Sequence, residues 1–532
     1  MEAAEATPRI RQGPAPTPHK WLVALAVMLG PALEVLDTSI INVALPHLQG
    51  TFSASVDEIA WVITSYLVAN GVMIPMTGWI SSRFGRKRYF LTSVFAFIGA
   101  SALCGAAQSL SQMVVFRLIQ GAAGAAMIPS SQAIMMETFP PEEQQMAMAL
   151  WGMGLMVAPI AGPTLGGWIT DNWSWRWNFY INVPIGAIAF VMVSAFVHDP
   201  QFIHERRARG GKIDYSGIMF LILSLGLLQI VLDRGQRADW FDSRWVVYAA
   251  SFSGLCLAAL IIRELSFHEP ILDLRIFRER AFMVAVSLTI SMSFVLFGSI
   301  LLNPLFLQEL MGYSAWKTGL VQAPLGLCSA LSMMLTGQLS RAGYNTRPLV
   351  GAGFALVVIG AWLMGSMNLQ ISMASVVRRN ILMSFGFGMI FPNTSAAALS
   401  CVGRERIGYA ASLYNMLRNT GAAIGIAFMT NSLLSRQQLH QSRLVEHFSV
   451  FDAWRLGKMG PSVPGSPIFG YLPQLVTGQP HGLRVLYGEV QRQATMLAFN
   501  DIYRIIAIAL IPLIPLFLLL PSRKFAGTTS EH

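Results

Sequence analysis

Charge is what this sequence has least of. Only 12% of its 532 residues are Asp, Glu, Lys or Arg, about half the share of an ordinary soluble domain. Hydrophobic residues make up 54%, and the mean hydropathy is +0.52. A soluble globule is excluded, because its cores could not hide that much apolar surface. Disorder and a fibrous fold fall on the same numbers. Cysteine is scarce as well. Cys104, Cys256, Cys328 and Cys401 form no C-x-x-C pair and lie in or beside apolar segments. They read as small hydrophobes, not as a disulfide framework. Whole motifs are missing too. Gly210-Gly211-Lys212 lacks the earlier glycine of a phosphate loop, so ATP is not expected as the direct energy source. No H-E-x-x-H or G-x-S-x-G occurs, so a membrane protease or esterase lacks its chemistry. The nine histidines form no metal pattern, and no cofactor is expected.

What the chain has is apolar runs. They lie near 21–45, 58–80, 89–109, 113–134, 146–170, 179–198, 215–232, 245–264, 282–306, 318–338, 348–367, 378–398, 411–432 and 500–520. Each suits a membrane helix of about 20 residues. The expected fold is therefore all-α and polytopic, with 14 transmembrane helices. The first run follows a basic, Pro-containing stretch, as in a signal peptide, but it is long, holds two carboxylates and has no small-x-small cleavage site. It is expected to be a retained span. An even count puts both termini on one side. That side collects Arg83, Arg86, Lys87 and Arg88, then Arg206, Arg207, Arg209 and Lys212, and finally Arg523 and Lys524. Short basic loops stay in the cytoplasm, so both termini are expected there. The same rule absorbs the net charge of +10 without nucleic acid. One loop on that side, with Glu137, Glu142 and Glu143, is acidic and runs against the pattern.

The chain also repeats itself. Pro129-Ser-Ser-Gln-Ala133 aligns with Pro392-Asn-Thr-Ser-Ala396 at an offset of 263 residues. Without gaps the offset matches Glu142 to Glu405, Leu150 to Leu413 and Gly162 to Gly425. Gly78-Trp-Ile-Ser81 separately resembles Gly337-Gln-Leu-Ser340. The repeat spans eight helices, not seven. Two pseudo-symmetric six-helix bundles with two inserted linker helices explain the shift, and repeated halves are a transporter architecture. The expected organisation is a cytoplasmic tail (1–20), an N-terminal bundle (21–198), inserted helices 7 and 8 with their loops (199–280), a C-terminal bundle (281–520) that includes an external segment (433–499), and a second cytoplasmic tail (521–532).

These residues resemble a known family. The run Leu36-Asp37-Thr38-Ser39-Ile40-Ile41-Asn42-Val43-Ala44-Leu45-Pro46 resembles the first-helix motif of the fourteen-helix drug:proton antiporters of the major facilitator superfamily, the EmrB/QacA type. Gly78 to Arg88, including Gly85 and Arg86, resembles the superfamily motif between helices 2 and 3, where an acidic residue usually stands at Ser82. Arg117-Leu-Ile-Gln120-Gly121 resembles the helix 4 motif. Ala158-Pro159-Ile-Ala-Gly162-Pro163-Thr-Leu-Gly166-Gly167 is similar to the antiporter motif of helix 5. Trp175 to Pro184, and Asp233-Arg-Gly235 with Asp239-Trp-Phe241, are similar to the EmrB branch. Asn415-Met-Leu-Arg418 with Gly421 and Gly425 resembles helix 13. The resemblance implies a proton-coupled efflux transporter of amphipathic compounds in a bacterial inner membrane. It also implies an EmrA-type periplasmic adaptor and a TolC-type outer-membrane channel as partners. Alternatives are a dedicated exporter of a metabolite, fatty acid or siderophore, a passive facilitator or channel, and a membrane lipid-handling enzyme.

The residues carry their own physics. Ionisable groups inside a span are costly, and function is the first reading of them. Glu34 and Asp37 are three apart, so they share one helix face. Two like charges in low dielectric oppose each other, so one of them can take a proton from outside and release it inside. A purely structural acceptor role for Asp37 is the other reading. Arg117 lies at a similar depth, and a guanidinium in lipid needs a partner. It is expected to pair with Asp37. Arg418 can hold a gate, contact substrate or sit in a salt bridge. Asn42, Tyr66, Asn70, Gln120 and Asn415 join it as candidate cavity residues. Gly78, Gly85 and Arg86 are candidate gate residues. Gly162, Gly166 and Gly167 allow close helix approach, and Pro159 and Pro163 permit bending. The 28 Met and 31 Phe suit an adaptable apolar pocket but name no substrate.

Overall fold

Local signals start and stop the helices. Ser109, Ser314 and Ser372 each accept a backbone N–H from the first turn that follows, and Asp214 does the same for its helix, so orphan donors are satisfied. Gly85 breaks the second helix from the third at φ +98°, a conformation that disfavours any side chain. The computed structural model describes residues 19–199, 213–267, 270–446 and 480–521, and among them there is no strand.

The helices are α1 (Lys20–Phe52), α2 (Trp61–Phe84), α3 (Arg86–Ala106) and α4 (Leu110–Gly124, carried on as Met127–Thr138). Next come α5 (Gln144–Asn172), α6 (Asn182–Phe196), α7 (Tyr215–Arg234) and α8 (Arg244–Ser266). Then follow α9 (Arg280–Leu305), α10 (Ala315–Arg341), α11 (Thr346–Met364) and α12 (Met373–Ser400). The last are α13 (Ile407–Glu446) and α14 (Pro480–Leu510), which ends in a 3-10 turn, Ile511–Leu519. Among the described residues, twelve stretches are long and apolar enough to cross a membrane. The outward surfaces of α3 and α8 are apolar, with Phe95 70% and Leu255 69% exposed, as lipid requires. The chain is a multi-pass membrane protein. The further helices α5 and α13, of 29 and 40 residues, pack inside the bundle.

The two ends of the described chain share one face. Lys20 bonds Glu143 at 2.6 Å, and Gln145, two residues on, shares a shallow cleft with Leu520 and Pro521. This is the terminal face; the opposite one is the loop face. Packing follows the repeat. α1 lies on α5, α6 and the second part of α4, and α9 lies on α12 and α13. Gly162 presses on Ser39 and Ile40 of α1, while Gly425, 263 residues later, presses on the Phe294 backbone of α9. The repeat also governs the contact between halves. A Cβ on Gly78 of α2 would meet Ser412 Oγ and Tyr409 Cα of α13 at 2.7 Å. A Cβ on Gly337 of α10 would meet Ala149 Cβ at 2.8 Å and Met146 Cα at 3.2 Å on α5. Met146 and Ala149 are the repeat partners of Tyr409 and Ser412. The halves are thus closed on the terminal face by two symmetry-related glycine contacts.

Both ends of the segment 433–499 are helical and continuous with its neighbours. Residues 433–446 continue α13, and Pro480 to Phe499 already belong to α14. At a rise of about 1.5 Å per residue, 40 residues span roughly 60 Å, twice a hydrocarbon core, so α13 projects well beyond the loop face. His440 at 2.8 Å and Arg436 at 3.6 Å bind Asp501 of α14 and tie the projection together. The Gly/Pro-rich middle, 447–479, lies outside the described residues. So do the tails with Arg9, Arg11, Arg523 and Lys524, and the loop with Arg206, Arg207, Arg209 and Lys212.

Filling one helix contact tests this packing. Gly425→Leu should lower thermal stability of the purified protein, by about 1–3 kcal/mol, the usual range for overpacking. Gly99→Leu, which has nothing within 4 Å, should leave the melt unchanged. Equal losses in both would contradict the α9–α13 contact.

Candidate functional site

The site grows from α1, which carries two buried carboxylates one turn apart. Asp37 is 2% exposed and Glu34 5%. Close packing delivers their partners. Gly121 lets α4 press on the backbone of Tyr66 in α2, and this brings Arg117 and Gln120 of α4 under α1. Arg117 Nη1 lies 2.6 Å from Asp37 Oδ2 with both side chains 1% exposed. Gln120 Nε2 donates to Asp37 Oδ1 at 2.9 Å, and Asn182 Nδ2 of α6 donates to the same oxygen at 2.7 Å. The guanidinium also donates to Val62 O at 3.2 Å and Gln120 Oε1 at 2.9 Å. The Tyr66 ring lies 4.4 Å from it. A buried charge pair is stable only when its remaining donors and acceptors are satisfied, and here they are.

Glu34 is held differently. Asn70 Nδ2 of α2 donates to Glu34 Oε1 at 2.8 Å and reaches Gly121 O at 3.4 Å. Glu34 Oε2 is buried and has no hydrogen-bond partner, and neither has the Tyr66 hydroxyl. So the two α1 carboxylates do not share one pocket. Asp37 accepts three hydrogen bonds, and Glu34 accepts one.

The expected cavity residues fall into three groups. Tyr66, Asn70 and Gln120 are buried in this network instead of lining an open cavity. Asn415 of α13 is fully buried and donates to Gln132 Oε1 of α4 at 2.6 Å, a bond between the halves. Asn42 is exposed, bonds its own helix at Thr38 O, 3.2 Å away, and is not brought to the others. Arg418 is 8% exposed, and its Nε has no partner.

On the terminal face Arg86 is ion-paired with Glu137 and lies beside Gly408 of α13. Ser82 Oγ stands 3.1 Å from the Tyr409 hydroxyl, so a neutral hydrogen bond crosses the interface where the resemblance implies an acidic residue. Asp199 holds the Gly85 turn from outside, since its Oδ1 accepts the Lys87 N–H at 2.8 Å. The acidic loop finds its reason here. Glu143 bonds Lys20 at 2.6 Å and reaches Arg341 of α10 at 3.7 Å. Gly162 and Gly166 sit against Ser39 and Ile40, and a Cβ on Gly167 would lie 3.6 Å from Val43. The side chains of Pro159 and Pro163 lie outside the described ones; the α5 backbone runs through them as helix. Sequence reasoning missed Asn182, Gln132 and Glu143. Asn182 was within reach, because it lies in the Trp175–Pro184 motif.

Comparison with known proteins places this geometry. Residues 27–426 match the Major Facilitator Superfamily. The multidrug export protein EmrB of Haemophilus influenzae is 36% identical over 81% of this chain and 84% of its own. The EmrB protein of Escherichia coli K12 is 34% identical over 88% and 91%. The fatty acid resistance protein FarB of Neisseria gonorrhoeae is 33% identical over 93% and 94%. Among solved structures, the proton:xylose symporter XylE superimposes with a TM-score of 0.60 at 14% identity, over 96% of this chain and 97% of that one. This last likeness is one of fold.

Removing one partner of the buried pair should cost about 3–5 kcal/mol. Asp37→Asn and Arg117→Gln should each lower the melting temperature sharply. The double variant should lose less than the sum of the two. Strict additivity in the melts would contradict the pairing.

Proposed function

Since the chain belongs to the Major Facilitator Superfamily, we propose that it is a proton-coupled exporter of amphipathic compounds that works by alternating access. It resides in the bacterial inner membrane with fourteen spans. Two six-helix halves rock against each other, α7 and α8 are inserted between them, and both termini are cytoplasmic. The observation that carries the reading is Glu34, a buried carboxylate with one oxygen unengaged, one turn from the Asp37–Arg117 pair. A site of this kind can load and unload a proton, and an intramembrane carboxylate has few other uses.

The two carboxylates divide the work. With the terminal face closed, three donors occupy both oxygens of Asp37. The proton therefore enters at Glu34, whose Oε2 is unengaged. Protonating Asp37 requires Arg117 to turn away, which loosens α1 from α4. The halves then part on the terminal face, compound enters from the cytoplasm, and the proton leaves inward. Similarity to EmrB supports several compounds as cargo. It also supports a periplasmic adaptor and an outer-membrane channel as partners, met by the projecting ends of α13 and α14. Similarity to FarB favours a second reading, a dedicated exporter of fatty acids. Resistance to one compound class against many separates the two.

Inverted vesicles with an acidified lumen and a pH-sensitive dye test the coupling. A lipophilic cation should release protons from vesicles carrying the parent, and Glu34→Gln or Asp37→Asn should lower that release at least tenfold. Release that persists in the double variant would falsify coupling at these residues.

A further inference from the structure

Proton loading at Glu34 has to be felt by the other half, and one group from that half is placed to feel it. Register puts Arg418 at the depth of Glu34. Gly78 of α2 meets Tyr409 and Ser412 of the antiparallel α13. Asn70, which holds Glu34, lies eight residues back along α2, about 12 Å toward the loop face. Arg418 lies six and nine residues along α13 from Ser412 and Tyr409, about 9–13 Å in the same direction. Asn70 and Arg418 thus reach the same depth on facing helices.

The hydrogen bonding at that depth is incomplete on both sides. Arg418 Nε, Glu34 Oε2 and the Tyr66 hydroxyl are buried without partners. Arg418 has one weak bond, Nη2 to Asn419 Oδ1 at 3.4 Å. Among the described residues no carboxylate lies within ion-pair distance of it. Tyr414 and Glu34 are the titratable groups that face it. Glu34 in turn faces Asn70, Arg418, Asp37 and Tyr66. A buried guanidinium without a carboxylate is costly, so its stability depends on whether Glu34 is charged.

We propose that Arg418 is the positioning residue through which the C-terminal half reads the proton on Glu34. A charged Glu34 draws Arg418 in and holds α2 against α13, which keeps the terminal face closed. A protonated Glu34 leaves Arg418 buried and uncompensated, and the halves part. This rests on the proton-coupled reading above, and it adds that the signal crosses between halves at one side-chain pair.

The test uses spin labels on Phe84→Cys and Glu405→Cys, two exposed positions where α2 and α13 meet on the terminal face, in full-length protein lacking its native cysteines and reconstituted in lipid. The parent should open as pH falls. Arg418→Gln should flatten the pH dependence of opening, because a charged Glu34 then has no partner on α13 with which to hold the halves together. Arg418→Lys should keep the parent's pH dependence. Glu34→Gln should stay open at every pH, and adding Arg418→Gln to it should change nothing further. A parent that shows no pH response overturns the proton-coupled reading itself. A parent that responds, with Arg418→Gln showing the same pH dependence, overturns the inference alone. If Arg418→Gln does not fold, Arg418→Met in the same measurement decides in its place.

Discussion

The ion pair of Asp37 and Arg117 is the interaction on which the N-terminal half depends. Neither group meets water, so each needs bonds that several helices must supply together. α1 brings the carboxylate, α4 the guanidinium and Gln120, α6 Asn182, and α2 the Val62 carbonyl and the Tyr66 ring. These bonds fix the rotation and depth of four helices at once. The glycines serve the same end, since Gly121, Gly162 and Gly166 remove the bulk that would hold the helices apart.

The second half repeats the architecture without the charge. The offset of 263 residues carries Arg117 onto Asn380. In α9, α12 and α14 the matching network is neutral. Tyr503 donates to Asn303 at 2.8 Å, and Asn303 donates to Asn380 at 3.1 Å. One half therefore carries buried charge at this position and the other does not. What the C-terminal half contributes instead is Arg418, on the helix that faces α2. An asymmetric charge on a symmetric scaffold lets a single titration bias two rigid bodies.

The terminal face shows why charge there is not spread at random. The basic loop between α2 and α3 meets Glu137, and Glu143 reaches both Lys20 and Arg341. By loop charge alone the acidic loop looks like an exception. In three dimensions it supplies the counter-charges of the closed state. The two pairs of Glu143 are partly exposed, so each is worth little alone, whereas Arg86 and Glu137 are buried together. The glycine contacts at Gly78 and Gly337 do the close packing, and the ion pairs lie on the same face.

Apolar runs and their order, the repeated packing and the pairing of Arg117 with Asp37 were legible in the residues. Each follows from a local or one-body cost, such as burying charge in lipid, and so leaves a mark on composition or spacing. The external segment was legible only in part, because a helix leaving the membrane loses its apolar signature while its backbone hydrogen bonds continue. The site divides in the same way. That Glu34 and Asp37 share a face is a property of one helix, and the sequence determined it. That Asn70 takes one carboxylate and Arg117, Gln120 and Asn182 take the other depends on the rotation and depth of α2, α4 and α6. The place of Arg418 at the depth of Glu34 depends on the register of two helices almost 400 residues apart. Such pairings are set by side-chain packing between distant segments, which has no period along the chain, so only the tertiary structure decided them.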